Sequence, residues 1–191
     1  MTDLQNNPSS GPTARPRVRT VVLALAILAV VGIVALLAFN AGEPLGVEVG
    51  DRVPAYSAPS LDGGEVSLAD HLGEVVLVNV WATWCGPCRV EMASIQALYD
   101  TYRDRGFNVL AISVDAGSDS RQVVEKFAAE YELSFTILLD RDSRITRLLR
   151  TVGVPETFVL DREGRIAKRV IGASDWSSEA NRTLINELLK L

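Results

Sequence analysis

From Thr20 to Phe39 the chain runs twenty residues without a charge, almost all of them apolar. From Val53 onward the apolar residues come instead in short runs and helix-spaced stripes. The long run predicts one helix of about 30 Å, the thickness of a bilayer core. The later pattern predicts a folded domain in which strands and helices alternate. Val75 to Val80 is a continuous run rich in β-branched residues, as expected of a central strand covered on both faces. Asn108–Val114 and Phe135–Leu139 repeat that pattern. Between them, Val90, Ile95, Leu98, Tyr99 and Tyr102 follow a helical stripe that Gly106 ends, and Ser120–Tyr131 predicts a helix with Val123, Val124, Phe127 and Ala128 inward. A short basic helix is expected over 143–150. Thr157–Leu160 and Arg165–Ile171 flank an Asp161-Arg162-Glu163-Gly164 turn and predict an antiparallel hairpin. Ser177 or Ser178 is expected to cap a last helix carrying Leu184, Ile185, Leu188 and Leu189. Asp62-Gly63-Gly64, between short strand-like pieces in 56–68, signals a further hairpin near the start of the domain. Strands alternating with helices and closed by a hairpin and a helix predict an α/β sandwich.

Four regions follow: a Pro/Ser/Asn-rich leader over 1–19 expected to be disordered, a transmembrane signal-anchor over 20–39, a tether over 40–52, and the folded domain over 53–191. A cleavable signal has a shorter apolar region and a small-residue cleavage site. Here the run is longer, and Ala38-Phe39-Asn40 is a poor site. Residues 1–39 hold three arginines against Asp3, a net of +2, which leaves −7 of the total −5 for residues 40–191. The positive flank stays in the cytoplasm, so the folded domain is expected outside it. An acidic domain without a basic cluster argues against nucleic acid as a partner.

The candidate chemistry lies in Trp84-Cys85-Gly86-Pro87-Cys88, which holds the only two cysteines of the 191 residues. It follows the first buried strand and opens the first helix of the domain. Cysteines at i and i+3 in a first helical turn are close enough to form a disulfide. Unpaired N–H groups and the positive dipole end of a helix stabilise a thiolate there. Cys85 is therefore the candidate nucleophile, and Cys88 the residue that resolves the mixed disulfide. A purely structural disulfide would close a ring too small to constrain the chain much. A zinc site needs about four ligands, yet His71, read as a loop residue, is the only histidine. No metal or other cofactor is expected.

Val78 through Met92, reading Val-Asn-Val-Trp-Ala-Thr-Trp-Cys-Gly-Pro-Cys-Arg-Val-Glu-Met, resembles membrane-anchored thioredoxin-like proteins of the TlpA/ResA/CcmG type, relatives of the AhpC/TSA redoxins. Gly153-Val154-Pro155-Glu156-Thr157-Phe158 and the Asp161-x-x-Gly164 turn resemble the same group, and the likeness covers about residues 50–190 in order. The resemblance implies a thioredoxin-like sandwich with an added N-terminal β-hairpin and a central insertion over roughly 118–152. It also implies that Pro155 is cis and lies beside the cysteines, where the Val154 backbone pairs with an extended substrate segment. Glu91, three residues after Cys88, would by the same resemblance lie near the cysteines and relay protons, against the alternative of a solvated helix surface. Glu156 resembles the cytochrome c maturation branch and joins Val154 and Pro155 as a candidate substrate contact, unless it is a solvated edge residue. Trp84 is read as an exposed platform for substrate and Trp81 as core. The sequence departs from ordinary thioredoxins at Asn79, where they carry a buried aspartate, and from the group at Ala93, commonly proline.

The implied activity is thiol–disulfide exchange in an extracytoplasmic compartment, with the Gly-Pro dipeptide resembling reducing members. Clients would be disulfide-containing exported proteins, apocytochrome c first among them. Electrons would come from a membrane thiol transporter of the CcdA/DsbD kind, and the bilayer would hold residues 20–39. Two other classes compete. One is a peroxiredoxin-type thiol peroxidase, whose Pro-x-x-x-Thr/Ser-x-x-Cys signature is absent. The other is a non-catalytic metallochaperone or client-binding module.

Overall fold

A computed structural model describes residues 16–40 and 47–190, in two compact units, Met1–Gly42 and Glu43–Leu191. Residues 1–15 of the expected leader and 41–46 of the expected tether lie outside the described residues; 16–19, expected to be disordered with the leader, are helical. In the first unit, α1 runs Pro16–Asn40. Its described side chains, 20–34 and 36, are all exposed. Among the described residues no helix is long and apolar enough to cross a membrane.

The second unit is built on a five-stranded sheet. Its strands are β3 (Val75–Trp81), β4 (Phe107–Ser113), β5 (Thr136–Leu139), β6 (Glu156–Leu160) and β7 (Ile166–Ile171), in the order β5-β4-β3-β6-β7. The pairings β3–β4 and β4–β5 are parallel; β3–β6 and β6–β7 are antiparallel. All seven β3 residues are buried, as a run apolar on both faces requires. The expected hairpin before the sheet is β1 (Ser57–Pro59) with β2 (Glu65–Ser67). His71 closes a 3-10 turn, Leu68–His71, and contacts Glu74 through Nδ1 at 2.8 Å.

Four helices follow in this unit: α2 (Gly86–Tyr102), α3 (Ser120–Glu130), α4 (Arg144–Leu148) and α5 (Glu179–Leu188). On one sheet face, α2, α3 and α5 bury Met92, Ile95, Leu98, Val124, Phe127 and Ile185 against Leu77, Val109 and Val159. On the other, Tyr56, Leu68 and Ile145 close over Val78, Leu110 and Phe158. Trp81 packs in the first layer with its ring 4.8 Å from Phe127. The segment expected as the central insertion thus contributes α3, the outer strand β5 and α4.

Three expectations change. Val90 is 77% exposed and Val123 41% exposed. The buried face of α2 runs through Cys88, Met92, Ile95, Leu98 and Tyr102, and Val90, two positions from both Cys88 and Met92, falls on the far side. In α3 the buried pair is Val124 and Phe127, which turns Val123 outward. Val90→Ser should therefore shift unfolding stability by no more than about 0.5 kcal/mol, as surface changes do. Ile95→Ala should cost about 2–5 kcal/mol. Equal losses in urea melts would contradict that phase. Ser178 occupies the α5 N-cap position, but no side-chain cap bond forms. The ordered domain also begins before Val53. Val47 is buried, the Gly50 N–H donates to the Ile166 carbonyl, and the Ile166 N–H donates to the Asp51 carbonyl. At the opposite edge, the Leu61 N–H donates to the Ile137 carbonyl.

Candidate active site

Cys85 leaves the end of β3 through Ala82, Thr83 and Trp84 and occupies the N-cap of α2, with Pro87 in the first turn, where its missing N–H costs no helical bond. Cys85 and Cys88 form a disulfide with their Cα atoms 5.3 Å apart. The Cys88 N–H donates to the Cys85 Sγ at 3.2 Å. That donor is one of the orphan N–H groups of the helix end, and it would stabilise the same sulfur as a thiolate. Cys88 is fully buried, Cys85 sits just beneath the surface, and the neighbouring Trp84 is 68% exposed.

The Val154–Pro155 peptide bond is cis. The Val154 carbonyl oxygen lies 3.5 Å from the Cys85 Sγ, so the loop before β6 and the start of α2 meet at the sulfur. These elements bring Trp84, Cys85, Cys88, Val154 and Pro155 together.

Glu156 is placed differently. It is fully buried, which removes the solvated-edge alternative. It also points to the sheet face opposite its neighbour Thr157, which faces α2. Its carboxylate accepts from the Arg169 Nε at 2.7 Å and from the Val152 N–H at 3.0 Å. Arg169 further donates to the carbonyls of Val47 and Arg150, each at 3.4 Å, and covers the Phe158 ring. Glu156 therefore fastens the 150–155 loop from behind.

Glu91 is buried rather than solvated, on the same face of α2 as Cys88. Its Oε1 accepts from the Asn79 Nδ2 at 2.7 Å and its Oε2 from the Ser174 N–H at 3.2 Å. Burial pushes this carboxyl above the ordinary carboxylate range, and the Asn79 and Ser174 hydrogen bonds pull the other way. A carboxyl whose pKa is raised on folding favours the folded chain below its unfolded pKa. It loses that contribution as pH rises through the folded value. Glu91→Gln, which has no carboxyl to ionise, should gain stability relative to the parent chain over the window from the ordinary glutamate value, about pH 4.3, upward. A difference between the two urea melts that stays flat across that window would contradict the burial effect.

Two residues given no role in the sequence reading hold the approach to Cys85. Asp115 is buried and accepts from the Thr83 N–H at 2.9 Å, the Thr83 hydroxyl at 2.7 Å and the Ser113 hydroxyl at 2.8 Å. Arg89 reaches back from α2 to the Thr83 carbonyl at 3.0 Å and lies over the Phe127 ring. A signal for Asp115 exists in the sequence, because it stands two residues past the end of the strand parallel to the one that delivers Cys85. The C-terminal ends of neighbouring parallel strands converge on one rim.

The AhpC/TSA family model matches residues 49–169. The thiol-disulfide oxidoreductase ResA of Geobacillus thermodenitrificans is 35% identical over 154 residues, 81% of this chain and 86% of that protein. The thioredoxin-like protein YneN of Bacillus subtilis is 36% identical over 130 residues, 68% of this chain and 75% of that one. Among solved structures, a Chlorobium tepidum protein provisionally assigned as the thiol:disulfide interchange protein DsbE superposes with a TM-score of 0.69 at 31% identity, covering 75% of this chain and 99% of that one.

Proposed function

Because the chain belongs to the AhpC/TSA family and is a thiol–disulfide oxidoreductase of the ResA/DsbE type, we propose that it reduces disulfides on exported proteins, apocytochrome c among them, outside the cytoplasm. The observation that carries the reading is the Cys85 sulfur at a helix N-terminus, receiving the Cys88 N–H beside the Val154 carbonyl.

In this mechanism the Cys85 thiolate attacks one sulfur of the client disulfide, and the client's other sulfur leaves as a thiolate. Cys88, once deprotonated, then attacks Cys85, restoring the intramolecular disulfide and releasing a dithiol client. Trp84 and the backbone at Val154–Pro155 hold the client strand, and Glu91 exchanges a proton with Cys88. Glu156 acts on the client only indirectly, through the loop it fastens. The Thr83 hydroxyl hydrogen is directed to Asp115, which speaks against Thr83 as a peroxide-site donor. Each cycle consumes two electrons, supplied by a membrane thiol transporter of the CcdA/DsbD kind. Residues 20–39 anchor the chain in the bilayer with the leader inside, in keeping with the Arg15, Arg17 and Arg19 flank.

The reduction potential tests the direction of flux. A value near that of reducing thioredoxins, about −270 mV, is expected; one near the strong oxidant value of about −120 mV would overturn the reductant assignment. Coupled reduction of a peptide carrying an oxidised haem-attachment cysteine pair tests the client class.

A further inference from the structure

The ladder between β3 and β4 ends at the Trp81–Ser113 pair, with one further bond from the Val114 N–H to the Trp81 carbonyl at 2.9 Å. Two residues beyond Trp81, side chains take over from the ladder at Thr83. Its N–H and its hydroxyl both donate to Asp115, at 2.9 Å and 2.7 Å, and its carbonyl accepts from the Arg89 Nε at 3.0 Å. Asp115 is held in turn by the Ser113 hydroxyl at 2.8 Å. Thr83 and Asp115 are both buried. All three polar groups of Thr83 are thus engaged inside the protein, by an acid from past β4 and a base from α2.

Only Trp84 separates Thr83 from Cys85. In the disulfide form the bond to Cys88 also ties Cys85 in place. In the dithiol form that tie is gone, and the chain alone must keep the Cys85 sulfur on the Cys88 N–H, which stands 3.2 Å from it here. Such a bond weakens steeply as donor and acceptor move out of line, and with it goes the stabilisation of a thiolate. Resting on the reading of Cys85 as the attacking thiolate, we propose that Asp115 is a positioning residue: by clamping Thr83 it holds the Cys85 sulfur at the helix N-terminus once the pair is reduced. The charge of Asp115 acts in the opposite sense. A carboxylate near a sulfur opposes its ionisation, so by charge alone the loss of Asp115 would make Cys85 more acidic, whereas the loss of the clamp makes it less so. The other charged side chains on the elements that meet around Cys85 are Arg89 and Glu91 of α2, Asp119 ahead of α3, Arg150 and Glu156 at the ends of the cis-proline loop, and Asp175 after β7. They stay unchanged in the variants below.

The test is the pH dependence of Cys85 alkylation by iodoacetamide in the reduced full chain in detergent micelles, with the modified sulfur located by fragment mass. In Asp115→Ala the midpoint should rise by about one pH unit, a tenfold loss of thiolate below it. Thr83→Val keeps the Asp115 charge and the side-chain volume but lacks the hydroxyl donor. Its midpoint should rise by about half a unit, a loss of about threefold. Thr83→Ser keeps the donor, loses only a methyl group, and should titrate with the parent. A packing role for Thr83 predicts the reverse, with valine closer to the parent than serine. Where Asp115→Ala does not fold, the two Thr83 variants decide alone. A parent-like midpoint in Thr83→Val, a serine variant shifted as far as the valine one, or a fall in Asp115→Ala overturns the proposal. The thiolate reading fails separately, if Cys85 of the parent chain itself titrates at the ordinary thiol value of about 8.5.

Discussion

Cys88→Ala is expected to accumulate as a covalent mixed disulfide with its client, while Cys85→Ser should fall to the rate of uncatalysed exchange. The asymmetry follows from burial and from one hydrogen bond. Cys88 is fully inside and cannot reach a client first; Cys85 sits just beneath the surface, beside the exposed Trp84, and receives a helix N-terminal N–H. Without Cys88 the first exchange still proceeds, but no second thiolate is in place to break the new bond. Without Cys85 there is no attacking sulfur. Non-reducing electrophoresis of Cys88→Ala, with mass identification of the attached protein, reads the first outcome; turnover of a disulfide peptide reads the second. Turnover retained in Cys85→Ser, or a client held without a covalent bond in both variants, would defeat the assignment.

Arg169→Met is expected to be the most damaging change away from the cysteines, lowering unfolding stability by about 3–5 kcal/mol, the usual cost of stripping the partner from a buried charge. Glu156 has no exposed surface, and the Arg169 Nε at 2.7 Å is its only ion-pair partner among the described residues. The same change releases the carbonyls of Val47 and Arg150. Combining it with Glu156→Gln should recover part of the loss, since the stranded charge is then gone. By contrast, the exposed Lys190–Glu187 pair should contribute less than about 1 kcal/mol. Denaturant melts of Arg169→Met, Arg169→Met with Glu156→Gln, and Lys190→Met rank these directly. Equal losses for the buried and exposed pairs would show that Glu156 is not isolated from water.

The strands and the cysteine pair were legible in the sequence because their signals are local. The run from Val75 to Val80 can be buried only as a central strand, and a Cys-x-x-Cys spacing at a strand-to-helix junction carries its own chemistry. What escaped depends on phase or on distant pairing. A helical stripe can be drawn through Val90 or through Met92, and only the packing of α2 on the sheet decides between them. Glu156 reads as a candidate client contact until the hairpin brings Arg169 across to it, thirteen residues later. Asp115 stands thirty-two residues from Thr83, and only the parallel pairing of β3 with β4 joins them.

The N-terminal stretches of the domain lie along both outermost strands, Gly50 and Asp51 on β7 and Leu61 on β5. Open sheet margins invite foreign chains to add themselves as further strands. If its clients are polypeptides, as proposed above, the protein meets that hazard in each cycle. The protein's own backbone occupies part of each margin, at Ile166 and at Ile137, which favours the groove beside the cysteines as the place where the proposed clients would be received.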